Sequence, residues 1–240
     1  MSLFTTENAG RAGLAEVLAV KTPESTSSYQ AVPYGDLIAS VRKHAADVLG
    51  SNAYRGESWA LGRDGKQLFG TMDFDSDHSD HGLAIGLRSS HDRSISVGIA
   101  VGASVFVCSN MCFSGDAVTL MRKHTSQFWE SWEGLVAGAL TKADEQYGIM
   151  AEQFERLKQI EVDNEQGYSL IGIAAGQRVL TPRQTTAAIR AWRTPPQEEF
   201  AGRNGWSLYN AMTEAAKKSA PGTALDVHTG IHHFMRRLSV

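Results

Sequence analysis

Hydrophobic residues change their period twice along this chain, and the changes divide it into three stretches. Leu37, Ile38, Val41, Ala45, Val48 and Leu49 recur at helical spacing behind Pro33, with Gly50 as a stop, which predicts an amphipathic helix. From Glu57 the period drops to two. "ESWALG", the turn "RDGK" and "QLFGTMDF" predict a β-hairpin in which Asp64-Gly65 supplies the positive-φ turn and Leu68, Met72 and Phe74 share one face. "GLAIGLR" and "SISVGIAVG" predict two more strands. Leu83, Ile85 and Leu87 alternate with Gly82, Ala84 and Gly86; Ile95, Val97, Ile99 and Val101 alternate with Ser96, Gly98, Ala100 and Gly102. Each strand therefore has a bulky face and a nearly bare one, and a bare face admits another element at close range. A helix packed on the sheet is the plainer reading of that face, a ligand surface the sharper one. "SVFVC" predicts a fifth, short strand.

Helical spacing returns between Thr125 and Asp163, through Phe128, Trp132, Leu135, Ala139, Ala143, Met150, Phe154 and Leu157. Unbroken, such a helix would run roughly 55 Å at about 1.5 Å per residue. The sequence therefore predicts a break near Gly138 or Gly148, or a projection towards a partner. Three further helices follow. "LTPRQTTAAIRAW" opens with a capping box of Thr181 and Gln184, with Pro182 in the first turn. "GWSLYNAMTEAAKK" is stopped by "APG", and "ALDVHTGIHHFMRRL" is last. A helix, then antiparallel strands, then helices is an α+β order and not a βαβ array. The expected fold is an antiparallel sheet of about five strands packed against helices, with a long helix and a helical C-terminal third. "KTPESTSS" reads as a linker. Residues 1–30 are thus expected to be a flexible N-terminal segment and 31–240 a single domain, helix plus sheet over 31–114 and helical over 115–240.

Composition narrows the class. Hydrophobic residues make up 42% and charged residues 20%, which is globular rather than disordered usage. A net charge of −3 argues against coating nucleic acid by bulk charge but leaves room for a local basic face. Cys108 and Cys112 are too few for a disulfide framework, and C-x₃-C is not zinc-ribbon spacing, so a reducing cytoplasm fits best. "MSLFTTENAG" lacks a basic region and an apolar core, so no signal peptide is expected. The most apolar run, "ISVGIAVGASVFVC", is shorter than a membrane span. Neither G-x-x-x-x-G-K-[ST] nor G-x-G-x-x-G occurs, and no cofactor is expected.

Candidate chemistry concentrates between Met72 and Ser94, in "MDFDSDHSDHGLAIGLRSSHDRS". Asp73, Asp75 and Asp77 imitate the start of a calcium loop. The sixth position is His78 instead of Gly and the twelfth is Ala84 instead of Glu, which excludes an EF-hand. A looser Mn, Fe or Zn site built from Asp75, Asp77, His78, Asp80 and His81 stands against a solvated strand connection. In "RSSHDRS", His91 beside Asp92 has the elements of an oriented base, and Arg88 and Arg93 flanking hydroxyls suit phosphate. The plainer alternative is a turn whose Asp and Ser cap backbone groups. His228 and His232, at i and i+4, lack the glutamate of H-E-x-x-H, and a surface face with Arg236 is the expectation there. Arg178, Arg183, Arg190, Arg193 and Arg203 lie near Trp192 and Trp206, a combination usable for single-strand binding.

At "GLRSSHDRSISVGIAVGASVFVCSNMCFSGD" and "RKHT" the chain resembles a family of phage- and plasmid-encoded proteins of unknown function. The family hallmark, L-R-N-S-H-D-x-S followed by a Gly-rich strand and V-F-V-C-x-N, is matched by Leu87, Arg88, Ser90, His91, Asp92 and Ser94, and by Val105, Phe106, Val107, Cys108 and Asn110. Ser89 stands where the family has Asn. "RDGKQLFGTMDF" and "GWSLYNAMTEA" are similar to family segments too. The resemblance implies a mobile-element gene acting in the cytoplasm of a bacterial host. The order of elements is also similar to the core of single-strand annealing proteins, an analogy at fold level.

The leading expectation is therefore a nucleic-acid-binding accessory protein, with single-stranded DNA the favoured partner and annealing or recombination the use. Arg88, Arg93, Arg183, Arg190, Arg193 and Arg203 would supply contacts. Arg88, Ser90, His91, Asp92, Arg93, Ser94, Cys108 and Asn110 are the hallmark positions at which function is sought. The alternatives are a metal-dependent nuclease or hydrolase using Asp75, Asp77, His78, His81 and His91, and a non-enzymatic inhibitor of a host defence protein. A homo-oligomer fits these readings; a membrane partner does not.

Overall fold

The structure, a computed structural model, describes residues 9–27, 29–50, 53–77, 80–105, 110–113, 119–123, 125, 127–217, 219 and 221–238, with backbone alone at 9, 110–113, 119–122, 144, 221–222 and 224–225. Phe106, Val107, Cys108 and His78 lie outside the described residues, as does the side chain of Asn110.

Among the described residues, seven strands form one antiparallel sheet: β1 (Ala9–Ala12), β2 (Tyr54–Gly62), β3 (Gln67–Phe74), β4 (His81–Ser90), β5 (Val97–Val105), β6 (Asn110–Phe113) and β7 (Thr119–Arg122). They lie in the order β1-β2-β3-β4-β5-β6, and β7 pairs with the first half of β5 where β6 pairs with the second. The helices are α1 (Leu14–Leu18), α2 (Tyr34–Leu49), α3 (Phe128–Gln159), α4 (Asn164–Gly176), α5 (Pro182–Arg193), α6 (Gly205–Ala216) and α7 (Pro221–Arg236). The fold is α+β, as the periodicities predict. Ser104 and Val105, expected to open a separate strand, are instead the end of β5.

The segment read as flexible contains β1, which pairs with β2 from Ala9↔Gly62 to Ala12↔Trp59, and α1, whose Val17 is fully buried against the core. Two elements of four and five residues are too short to show a period, so spacing does not reveal them.

The β2–β3 hairpin turns as its sequence predicts. Asp64 and Gly65 have φ of 55° and 82°, and Arg63 joins them at 49°. Opposite Trp59 stands Gly70, and a Cβ there would lie 2.0 Å from the indole. Only glycine lets that ring lie across β3.

His81 of β4 touches Tyr147 and Phe154 of α3, so by alternation Leu83, Ile85 and Leu87 face the helices. The small-residue face is buried as well, with Ala84 and Ala100 no more than 5% exposed. Arg88 alternates onto that face and feels the Asp226 carboxylate of α7.

The long helix neither breaks nor projects. α3 runs 32 residues without interruption, about 48 Å at ~1.5 Å per residue. Gly134, Gly138 and Gly148 weaken it locally, but a buried stripe from Phe128 and Trp132 through Val136, Leu140 and Tyr147 to Phe154 and Leu157 pins it along the sheet. Burial outweighs the glycine cost of about 1 kcal/mol each.

Candidate functional site

The hallmark turn between β4 and β5 is closed on itself. Ser89 and Ser90 are fully buried. Ser90 Oγ donates to the Ile95 carbonyl at 2.8 Å and accepts from the Ile95 amide at 3.1 Å. Asp92 accepts from the Ser94 amide and hydroxyl and pairs with Arg63 at 3.1 Å. Burial pushes the Asp92 carboxyl up, but those hydrogen bonds and the guanidinium outweigh it and hold the group below the ordinary carboxylate range.

His91 stacks on Tyr34 at 3.9 Å with rings 9° apart, and its Nε2 donates to the Val32 carbonyl at 3.0 Å. Burial lowers its pKa, against the Val32 hydrogen bond and the Asp92 charge, and so favours the neutral ring. Arg93, with φ of 63°, lies over the Tyr29 ring at 4.3 Å, and Tyr29 donates to the His91 carbonyl. The neighbouring His91 and Asp92 therefore do not form the base–carboxylate dyad that their sequence suggests. Each side chain is engaged elsewhere, and together they fasten the 29–34 segment to the sheet.

At the other end of β4, about 33 Å away at ~3.3 Å per residue, the polar residues are arranged differently. His81 is fully buried, with ring centroids of Tyr147, Phe154 and Trp206 at 5.9, 5.1 and 6.0 Å. Tyr147 donates to Ser76 Oγ at 2.9 Å, and Ser76 donates to the His81 carbonyl at 2.7 Å. His81 Nδ1, 2.7 Å from the phenol oxygen, is thus the donor to Tyr147. Burial, aided by the Asp80 and Asp77 carboxylates, pushes the Tyr147 phenol up to about 12 despite the Ser76 hydrogen bond. This ring of bonds fixes where the chain leaves β3 and re-enters β4.

Beside it opens a cleft of about 740 Å³ between the end of α2, the end of β3 and the middle of α3. Asp75, Asp77, Glu152 and Glu155 line it together with Arg156. Asp75 pairs with Arg55 at 2.9 Å. Among the described residues, only Asp80, His81 and Glu155 converge as a metal site would require, with donor atoms within 4.8 Å of one another. Lys158 already stands between two of them, 2.9 Å from Asp80 and 2.6 Å from Glu155. A divalent ion would have to displace that ammonium. Of the expected set of Asp75, Asp77, His78 and His81, the two aspartates line the cleft, His81 is buried, and His78 is outside the described residues. His91 is at the far end of the strand. Tyr147, Glu155 and Lys158 come from α3, some 70 positions later, and sequence spacing offered no link to them.

The helical third holds its arginines in two ways. Arg183, Arg190 and Arg193 are exposed on one face of α5, and Arg178 is exposed just before it. Among the described residues none of the four has an ion-pair partner. Arg203 is not part of that face. It stacks on Trp192 at 4.6 Å and donates to the Trp192 and Arg193 carbonyls, capping the end of α5. Trp192 and Trp206 are 1% and 5% exposed, so the aromatic half of the expected single-strand surface is in the core. His228 and His232, expected on a surface, are buried too, and His232 Nδ1 lies 3.1 Å from the Tyr209 hydroxyl.

A family model described as "Domain of unknown function (DUF932)" matches residues 25–237. The chain belongs to the DUF932 family. No curated protein and no solved structure matches it. Among the described residues of this DUF932 protein, no helix is long and apolar enough to cross a membrane. Its family match spans both ends of β4 and the whole of α5, so the closed turn, the open cleft and the arginine face all lie within the DUF932 domain.

Proposed function

We propose that this DUF932 protein is a nucleic-acid-binding accessory protein of a bacteriophage or plasmid, acting in the bacterial cytoplasm through the exposed face of α5. The observation that carries the reading is the line of Arg183, Arg190 and Arg193, with Arg178 beside it, none paired with a carboxylate among the described residues. No Asp or Glu occurs between Glu165 and Glu198, so this stretch is locally basic in a chain of net charge −3. Arg183 also sits in the first turn of α5, where the helix dipole disfavours a cation and would favour a bound phosphate. The mobile-element part of the reading rests on the hallmark resemblance at Leu87–Ser94.

With Trp192 and Trp206 buried, phosphate contact supplies the affinity, and binding tolerates any sequence. Fluorescence anisotropy with labelled single- and double-stranded oligonucleotides across salt concentrations tests it. Three to four phosphate contacts give a log–log salt slope of about −3. The triple variant R183A/R190A/R193A should lose most of the binding and flatten the slope. Parent-like binding by that variant, or salt-independent binding by the parent, overturns the proposal. Strand preference is read in the same titration, and annealing of complementary strands is assayed on the parent.

A further inference from the structure

The cleft beside β4 has a floor and a rim of different chemistry. Phe74 and Leu83, each 3% exposed, and Ala151, 4% exposed, form an apolar floor with Leu49 at its edge. Its volume of about 740 Å³ falls in the range of small-molecule sites. The rim and its immediate partners hold five carboxylates, Asp75, Asp77, Asp80, Glu152 and Glu155, against three cations, Arg55, Arg156 and Lys158. Asp77 lines the cleft and has no ion-pair partner among the described residues. A negative rim repels anions, and an apolar floor gives nothing to a bare metal ion.

Gly148 adds an independent observation. It lines the cleft from within α3, its φ is not in the left-handed region, and a Cβ there would meet nothing within 4 Å. The fold therefore has no packing reason for glycine at a position where alanine would favour the helix. Gly134 and Gly138 of α3 and Gly172 and Gly176 of α4 also meet nothing within 4 Å, but they do not line the cleft. At Gly148 a side chain would occupy the cleft itself.

We propose that this cleft is a binding site for an organic cation with an apolar body, an arylalkyl amine in chemical class, its ammonium at Asp77, Glu152 being already paired with Arg156, and its ring on the apolar floor. The site is independent of the α5 arginines.

Titration calorimetry on the full chain tests it with three probes: tryptamine, which carries ring and ammonium; indole-3-propionate, which exchanges the charge; and spermidine, which lacks the ring. Tryptamine should bind saturably, and each of the other two at least about tenfold more weakly. Gly148→Leu should abolish tryptamine binding while leaving the melting temperature equal or higher. Asp77→Asn should weaken it, and Asp77→Lys should turn the preference towards indole-3-propionate. R183A/R190A/R193A should bind tryptamine like the parent, which separates this site from the nucleic-acid proposal. The proposal is overturned if tryptamine fails to saturate at millimolar concentration, if either control probe matches it, or if a folded Gly148→Leu variant binds as the parent does.

Discussion

The two ends of β4 carry the same residue types and use them in opposite ways. At the Ser89–Ser94 end, histidine, aspartate and serine bond to backbone groups, to Arg63 and to one another, and Tyr34 and Tyr29 cover His91 and Arg93. At the Asp75–His81 end, His81 is buried among aromatic rings, while Asp75 and Asp77 line a cleft with Glu152 and Glu155. A stretch dense in His, Asp and Ser can thus be bonded within the fold. Here the sharpest sequence signal lies on a turn that the fold needs, and the less regular acidic stretch borders the open space. What decides between the two readings is whether the fold has already used each polar group.

Substitutions at the two ends can break or sharpen that contrast. His81→Ala should have the largest effect, about 3 kcal/mol, because it empties a filled aromatic site and leaves the Tyr147–Ser76 pair without its donor. Equilibrium urea unfolding measures it; an unchanged midpoint would show that His81 is not a structural group. His91→Ala should cost about 2 kcal/mol through the lost stacking and the lost bond to Val32. If this variant is as stable as the parent yet loses nucleic-acid binding, the turn is a functional site after all and the contrast fails.

Acid should reach the turn in two steps. The folded-state pKa of His91 is lowered, so folding favours the neutral ring. Its contribution is present above the unfolded value near 6.5 and is lost as pH falls below it. The Asp92 pKa is also lowered, so its contribution is present above about 4 and is lost only below that. Stability measured by urea from pH 8 to pH 3 should show both declines. His91→Gln should remove the upper step and spare the lower; a parent-like upper step in that variant would assign it to another group.

Most of the architecture was legible because long, periodic segments report burial directly. The α2 stripe from Leu37 to Ala45, the β2–β3 hairpin and the Thr181–Gln184 capping box stand as their spacing indicates, while Val48, expected in that stripe, is 38% exposed. β1 and α1 were hidden because four or five residues cannot show a period. The site was less legible for a different reason. Lys158 decides whether Asp80 and Glu155 are open to a metal, and Tyr147 decides what His81 does, yet both arrive on α3 from far along the chain. Arg203 could not be told from Arg190 by residue type. Only the packing of Trp192 against the end of α5 assigns it to a cap.

The smallest predicted effect is also the most direct comparison, since it makes one isosteric change at both ends of the strand. Asp92→Asn keeps an acceptor for the Ser94 amide but removes the charge opposite Arg63, and should cost about 1 kcal/mol, a partly exposed pair being worth less than a buried one. Asp77→Asn removes a carboxylate that has other carboxylates for neighbours and no ion-pair partner among the described residues. It should change stability by less than about 0.5 kcal/mol, with relief of like-charge repulsion favouring the variant. Urea midpoints for the two variants, measured at low and at moderate salt, give the difference. If Asp77→Asn costs as much as Asp92→Asn, the cleft carboxylates are structural and the two ends of β4 are alike.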